Sequence, residues 1–251
     1  METEDKTYLS SEDWYKRWFN DFYPRLYPHR NLIEAKQQVD AVINLISTRG
    51  NCLDIACGTG RHLRYLATHF TRSVGLDLSK ELIEIGKLEG NFDKSEVYLA
   101  DMRQPAINEK FDLVTNFFTG FGYFETDKEH QQMLTCWRSL LKPEGTLLID
   151  YLNRDYLIEN IIPSTIRIVD GYTIEEKRSI STDSLRIEKT IVISKDSQSE
   201  NYLESVRMYS YQEVSNMLKE SGFKSINRYG NFEWEAFSSG SERLIFVTKN
   251  D

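Results

Sequence analysis

The chain has 251 residues, 40% of them hydrophobic, enough to bury one sizeable core with at most a modest appendage. Its 31 Lys and Arg against 39 Asp and Glu give a net charge of −8, with both signs spread along the chain. Nucleic acid is therefore not expected as the main partner, because phosphate binding needs a concentrated basic face. Cys52, Cys57 and Cys136 show no CxxC spacing and are expected to be reduced thiols. No apolar run approaches the ~20 residues of a membrane span, and the acidic start Met1-Glu2-Thr3-Glu4-Asp5 is the opposite of a secretion signal. A cytoplasmic location follows as an expectation.

In chain order, a helix is predicted over 12–20 with Ser11 as its cap, behind ten frayed polar residues. The aromatic stretch 22–30 comes next, then a helix from about Asn31 to Ile46. Strand and helix then alternate. Strands are predicted over 52–56, 73–76, 96–100, 111–115 and 146–150, with helices over 61–70, 79–88 and 128–141 between them. Such alternation implies a parallel sheet with helices on both faces. After Asn153 the pattern changes to four extended stretches, 164–170, 172–181, 185–194 and 202–210. Asp170-Gly171 signals a hairpin, and the polar clusters 181–184 and 195–201 supply two further turns. A helix over 211–221 and strands near 223–229 and 243–247 return to the first pattern, so the meander is an insertion. The expected division is an N-terminal helical lid over 1–50, an α/β ligand-binding domain over 51–163 and 211–251, and an antiparallel β cap over 164–210.

The strongest local signal is Leu53-Asp54-Ile55-Ala56-Cys57-Gly58-Thr59-Gly60-Arg61-His62, a buried strand running into a glycine turn and a helix. Leu63 stands where a dinucleotide fingerprint needs its third glycine, which argues against a pyrophosphate cofactor and a nicotinamide oxidoreductase. Asp54 would repel a phosphate, but suits a ligand bearing an ammonium group. His62 is read as structural.

Residues 53–62 resemble motif I of class I S-adenosylmethionine-dependent methyltransferases, and further landmarks fit that superfamily in order. These are Val74-Gly75-Leu76-Asp77-Leu78-Ser79, Ala100-Asp101-Met102-Arg103, Phe111 to Phe118, and Leu141 to Asp150. Within the superfamily the chain is most similar to small bacterial members with an antiparallel insertion after the fifth strand, among them amino-sugar N-methyltransferases. The resemblance covers roughly residues 12–249, by spaced motifs. It implies a Rossmann-like, seven-stranded, mostly parallel sheet with an inserted meander. It also implies S-adenosylmethionine as cofactor, bound by Asp54, Ala56, Gly58, Gly60, Asp77, Leu78, Asp101, Met102, Asn116 and Phe117. In that scheme Asp77 takes the ribose hydroxyls, Asp101 the adenine amine and Met102 the ring face. Tyr27 and Arg30 would close a lid, Arg30 pairing with the methionine carboxylate and a tyrosine facing the sulfonium.

The expected reaction is methyl transfer to a nitrogen, or an oxygen, of a small molecule, with release of S-adenosylhomocysteine. An amine acceptor needs only to arrive unprotonated, whereas a hydroxyl needs a base and no His or Lys stands out at a strand end. Tyr123 and Asp150 are the candidate catalytic groups. Substrate candidates lie after the fourth strand (Phe117, Thr119, Tyr123), after the fifth (Asp150, Tyr151, Asn153), and on the insertion (Arg207, Tyr209), with Trp234 and Glu235 as rim candidates. Strand parity leaves open whether Arg207 and Tyr209, or Val206 and Met208, face the pocket. No metal site is expected, and the chain is read as a monomer or homodimer. The alternatives are an RNA or protein methyltransferase on the same fold and a non-catalytic S-adenosylmethionine sensor. Asn116-Phe117-Phe118-Thr119 lacks the Asn/Asp-Pro-Pro-Tyr/Phe tetrad of adenine-amino enzymes.

Overall fold

The computed structural model describes residues 13–27, 30–183 and 185–251; the expected cap Ser11 and the first ten residues lie outside them. Two short helices open this chain, α1 (Trp14–Trp18) and α2 (Phe22–Leu26). The second falls inside the aromatic stretch, where Asn20 Oδ1 accepts from the Phe22 amide at 2.9 Å and restarts the helical turn. Helix α3 (Leu32–Leu45) is capped by Asn31, whose side chain accepts from the Ile33 and Glu34 amides.

The predicted alternation follows: β1 (Asn51–Ile55), α4 (Arg61–Leu66), β2 (Arg72–Asp77), α5 (Lys80–Leu88), β3 (Glu96–Leu99), β4 (Phe111–Asn116), α6 (Asp127–Ser139) and β5 (Leu141–Leu152). Strand β5 begins five residues earlier than expected. Leu141 already pairs with Phe111 before the chain kinks at Glu144, φ 62°. Helix α7 (Arg154–Glu159) has no counterpart in the sequence reading. The meander is β6 (Ser164–Val169), β7 (Tyr172–Ile180), β8 (Arg186–Lys195) and β9 (Gln198–Arg207), followed by α8 (Tyr211–Glu220), β10 (Ile226–Tyr229) and β11 (Arg243–Lys249). Asp170 and Gly171 both take positive φ, 51° and 80°, as a tight hairpin requires. The last hairpin, between β8 and β9, is tighter than expected, so β9 starts at Gln198 rather than Tyr202.

Seven strands form one sheet in the order β10-β11-β5-β4-β1-β2-β3, all running in one direction except β11, which is antiparallel to both its neighbours β5 and β10. Alternate residues of each strand go to opposite faces. Cys52, Leu113 and Leu148 bury against Val39 and Val42 of α3, while Leu53, Val114 and Leu147 bury with Met133 and Trp137 of α6 and Leu218 of α8. Helices therefore cover both faces, and the carboxyl ends of β1 to β5 share one edge.

The four meander strands form a separate antiparallel sheet, β6-β7-β8-β9. Its apolar face covers the lid helices: the Trp18 and Tyr202 rings lie 5.3 Å apart and those of Phe22 and Tyr172 5.1 Å. The lid and cap thus share one hydrophobic cluster with the α6 face of the main sheet.

Candidate active site

A cavity of about 420 Å³ lies at the carboxyl ends of β1, β2 and β3, with side chains of α1 and α2 among its walls. The turn leaving β1 is left-handed at Ala56 (φ 56°), Gly58 (φ 55°) and Gly60 (φ 80°). At Gly60 a Cβ would sit 2.2 Å from the Phe92 ring, so no other residue fits there unshifted. Asp77, at the end of β2, secures this turn. Its Oδ2 accepts from the Gly58 amide at 2.7 Å and its Oδ1 from the Ser79 amide at 2.8 Å. Burial pushes the Asp77 carboxyl up from its ordinary value.

Asp54 is 1% exposed. One oxygen accepts from Thr115 Oγ1 at 2.8 Å, and the other has no partner among the described residues. Burial, only partly offset by the Thr115 bond, raises its carboxyl to about 7. Across the same cavity the Arg30 guanidinium lies 4.0 Å from the Tyr27 ring centroid and 3.9 Å from that of Phe118. It donates to the Tyr23 hydroxyl, while its buried Nε has no partner among the described residues. A buried unpaired acceptor and a buried unpaired donor in one cavity complement a zwitterion, an ammonium beside a carboxylate.

Leu78, Asp101, Met102 and Phe117 complete the predicted lining. Asp101 is already paired with Arg103, Oδ2 to Nη2 at 2.7 Å, and this pairing outweighs its partial burial to hold the carboxyl below its ordinary range. The Phe117 ring stacks on His62 at 4.1 Å, so His62 also lines the cavity, its Nε2 bonded to Gln38 at 2.7 Å. Gly60 and Asn116 lie behind the lining. Asn116 Nδ2 donates to the Ile55 carbonyl at 3.0 Å, and its Oδ1 is buried without a partner among the described residues.

A second cavity, about 470 Å³, shares Phe19, Tyr23, Arg30, Phe118 and Tyr123 with the first. Its other walls include α7, Asn153 and Thr119, Glu242 and Arg243 at the start of β11, and residues of the cap, among them Ile187, Lys189, Glu204 and Val206. Parity is thereby decided. Ile187 pairs with Val206 and Lys189 with Glu204 across β8 and β9, and this face lines the cavity. The Lys189–Glu204 ion pair spans 2.6 Å, and Lys189 Nζ also donates to the Tyr27 hydroxyl at 3.0 Å.

Arg207 and Tyr209 point the other way and line neither cavity. Both bind Asp127, Arg207 through Nε at 3.3 Å and Tyr209 through its hydroxyl at 2.6 Å, and the Tyr209 hydroxyl also meets the buried His130. Tyr151 is also outside both linings: it is fully buried, and its hydroxyl donates to the Arg207 carbonyl and accepts from the Tyr209 amide at 3.1 Å. Asp150, 1% exposed, lines neither cavity because its carboxylate is consumed by the Phe118 amide at 2.8 Å and by Arg243 at 2.6 Å. Asn153 lines the second cavity while capping α7. Trp234 packs on Tyr229 at 5.1 Å, and neither it nor Glu235 lines a cavity. Sequence reasoning missed Tyr15, Tyr23, Phe118, Lys189 and Glu204. For Lys189 a signal existed: it breaks the apolar row Ile187, Ile191, Ile193 on the buried face of β8.

Comparison with known proteins agrees with this geometry. Residues 52–145 match the model of a methyltransferase domain family. A dTDP-3-amino-3,4,6-trideoxy-alpha-D-glucopyranose N,N-dimethyltransferase of Streptomyces venezuelae is 27% identical over 117 residues, 47% of this chain and 48% of the relative. The match thus spans about half the length of that relative. A protein of Geobacillus sp. named as a methyltransferase is 29% identical over 206 residues, covering 78% of this chain and 83% of its own. Among solved structures, an S-adenosylmethionine-dependent methyltransferase of Clostridium acetobutylicum superposes with a TM-score of 0.78 at 19% identity, covering 91% of this chain and 96% of that one. The S-adenosylmethionine-bound amino pentose methyltransferase of Micromonospora echinaspora gives 0.70 at 20% identity with the same coverage. Residues 52–145 thus match a methyltransferase domain, and the chain shares the fold of these S-adenosylmethionine-dependent methyltransferase structures.

Proposed function

We propose that the protein transfers the methyl group of S-adenosylmethionine to a nitrogen of a small molecule seated in the second cavity. The carrying observation is the pair of cavities with one shared aromatic wall, the first of which offers the unpaired Asp54 and Arg30 atoms. Asp54 receives the amino group of the donor and Arg30 its carboxylate, while the left-handed turn at Gly58 lets the backbone approach the ligand. Asp77 takes the ribose hydroxyls with the carboxylate capacity left beside its two amide bonds. Asp101, oriented by Arg103, takes the adenine amine over Met102, and Phe117 lies beside the reacting end.

The bound cofactor supplies an already activated methyl group, so the protein has to position two molecules and exclude water. Tyr23 and Tyr123 stand between the two cavities, and burial pushes both hydroxyls above their ordinary value, so they act as neutral hydrogen-bonding groups. Among the described residues the second cavity is lined by no histidine and by one lysine, Lys189, which is paired with Glu204, while Glu242 accepts from the Tyr156 hydroxyl at 3.3 Å. That favours an amine, which carries its own nucleophilic lone pair, over a hydroxyl. The relatives named as sugar N,N-dimethyltransferases support nitrogen. In this reading residues 1–50 form the lid, 51–163 and 211–251 the donor-binding domain, and 164–210 the acceptor cap.

The test is incubation with methyl-labelled S-adenosylmethionine and a whole-cell extract, followed by identification of the labelled product. A labelled low-molecular-weight amine is expected. Label found only in RNA or protein would overturn the acceptor class, and tight S-adenosylhomocysteine binding without any transfer would favour a sensor.

A further inference from the structure

The junction between the cavities is a strained turn. Directly after β4, Phe118 and Thr119 both hold left-handed backbone, φ 60° at each, where a side chain is disfavoured and glycine is usual. Such conformations persist only where the surroundings over-determine them, and here they do. The Phe118 amide donates to Asp150 Oδ2 at 2.8 Å and the Thr119 amide to the Asp150 carbonyl at 2.7 Å. Arg243 clamps the opposite carboxylate oxygen at 2.6 Å, reaches Thr119 Oγ1 at 3.2 Å, and lies 5.2 Å from the Phe118 ring centroid. Arg30 approaches the same ring at 3.9 Å. Phe118 lines both cavities and Thr119 the second.

We infer that the Phe118–Thr119 turn is a rigid partition that fixes the alignment of acceptor with donor, and that Asp150 and Arg243 are its positioning residues. A glycine pair would satisfy the backbone but would remove the ring and the hydroxyl from the wall. The side chains retained at a disfavoured φ, together with a buried ion pair devoted to them, are what a fixed partition requires. The inference rests on the methyl-transfer reading above. It replaces a direct chemical role for Asp150, whose oxygens are already engaged, with an indirect one.

Thr119→Gly separates this from a structural role, because glycine relieves the backbone while releasing Arg243 from the turn. We expect a Tm within about 3 °C of the parent, S-adenosylhomocysteine affinity by calorimetry within about threefold, and label transfer into a low-molecular-weight cell extract reduced at least about tenfold. Thr119→Ser, which keeps the hydroxyl, should retain transfer within about threefold. Arg243→Lys, which keeps the charge but not the planar fork, should lose transfer like Thr119→Gly. Transfer by Thr119→Gly within about threefold of the parent, or lost only in step with Tm or donor affinity, would overturn the inference. A parent protein that binds S-adenosylhomocysteine but transfers no label would instead overturn the methyl-transfer reading, and this inference with it.

Discussion

The two cavities meet at one wall but are built in different ways. The donor cavity rests on strand ends of a single sheet, and its carboxylates sit in short contiguous motifs, Asp54 to Gly60, Asp77 to Ser79 and Asp101 to Met102, with Arg30 added from the lid. The acceptor cavity is assembled from α7, all four cap strands, the turn after β4 and the start of β11, pieces that span most of the described chain. The contrast teaches where change is tolerated. A site written in contiguous motifs is fixed by the backbone of the fold, whereas one written across elements can be altered a side chain at a time.

If that contrast is sound, substitutions should sort by cavity. The largest expected effect is at Asp77→Ala, which removes the acceptor of the Gly58 and Ser79 amides as well as the proposed ribose contact. S-adenosylhomocysteine affinity should fall about a hundredfold, equivalent to about 3 kcal/mol. Unchanged affinity in calorimetric titration of a folded variant would break the donor assignment. Arg30→Ala should weaken S-adenosylhomocysteine about tenfold to thirtyfold and leave adenosine nearly untouched, because only the former carries a carboxylate. Equal losses for the two ligands would mean that Arg30 serves the lid packing alone.

A smaller effect is expected from pH. The Asp54 carboxyl, raised by burial to about 7, must ionise to meet an ammonium group. Donor affinity should therefore drop about tenfold from pH 8 to pH 6, and Asp54→Asn should flatten that profile. The sign for stability of the free protein is opposite. The folded state holds this proton more tightly than the unfolded chain, so the contribution is greatest below the ordinary value of 3.8 and declines as pH rises towards 7. Thermal unfolding of parent and Asp54→Asn across that range would measure it. The smallest effect belongs to the acceptor side: Glu204→Gln should leave S-adenosylhomocysteine affinity within about threefold, since it faces the second cavity alone. A tenfold loss there would mean that the cavities do not divide the work.

The same contrast explains what the sequence disclosed. Helix α3, the glycine turn, the strand-end acids and the Asp170-Gly171 hairpin were legible because each depends on neighbours a few residues away. Helix α1 lies within the predicted 12–20 stretch, whereas α2 and α7, of 5 and 6 residues, are too short for a periodic signal. The acceptor wall was illegible because strand parity names two faces without saying which one is covered. That choice was made by the lid, through the packing of Trp18 on Tyr202. Likewise Asp150 and Arg243 lie 93 positions apart, and only the antiparallel placement of β11 beside β5 brings them together.

The Tyr27 side chain carries one more consequence. Its hydroxyl bonds Glu176 on β7 at 3.3 Å and accepts from Lys189 on β8, while Arg167 on β6 donates to the Leu26 carbonyl. The lid is thus stitched to three strands of the insertion. In hydrogen exchange the two should open as a single cooperative unit rather than as a hinged flap over a static module. The same stitching limits inheritance: a lineage cannot exchange this insertion for another without also refitting the helices that close over the methyl donor. Modularity in this chain therefore ends at Tyr27, far upstream of the residue at which the insertion begins.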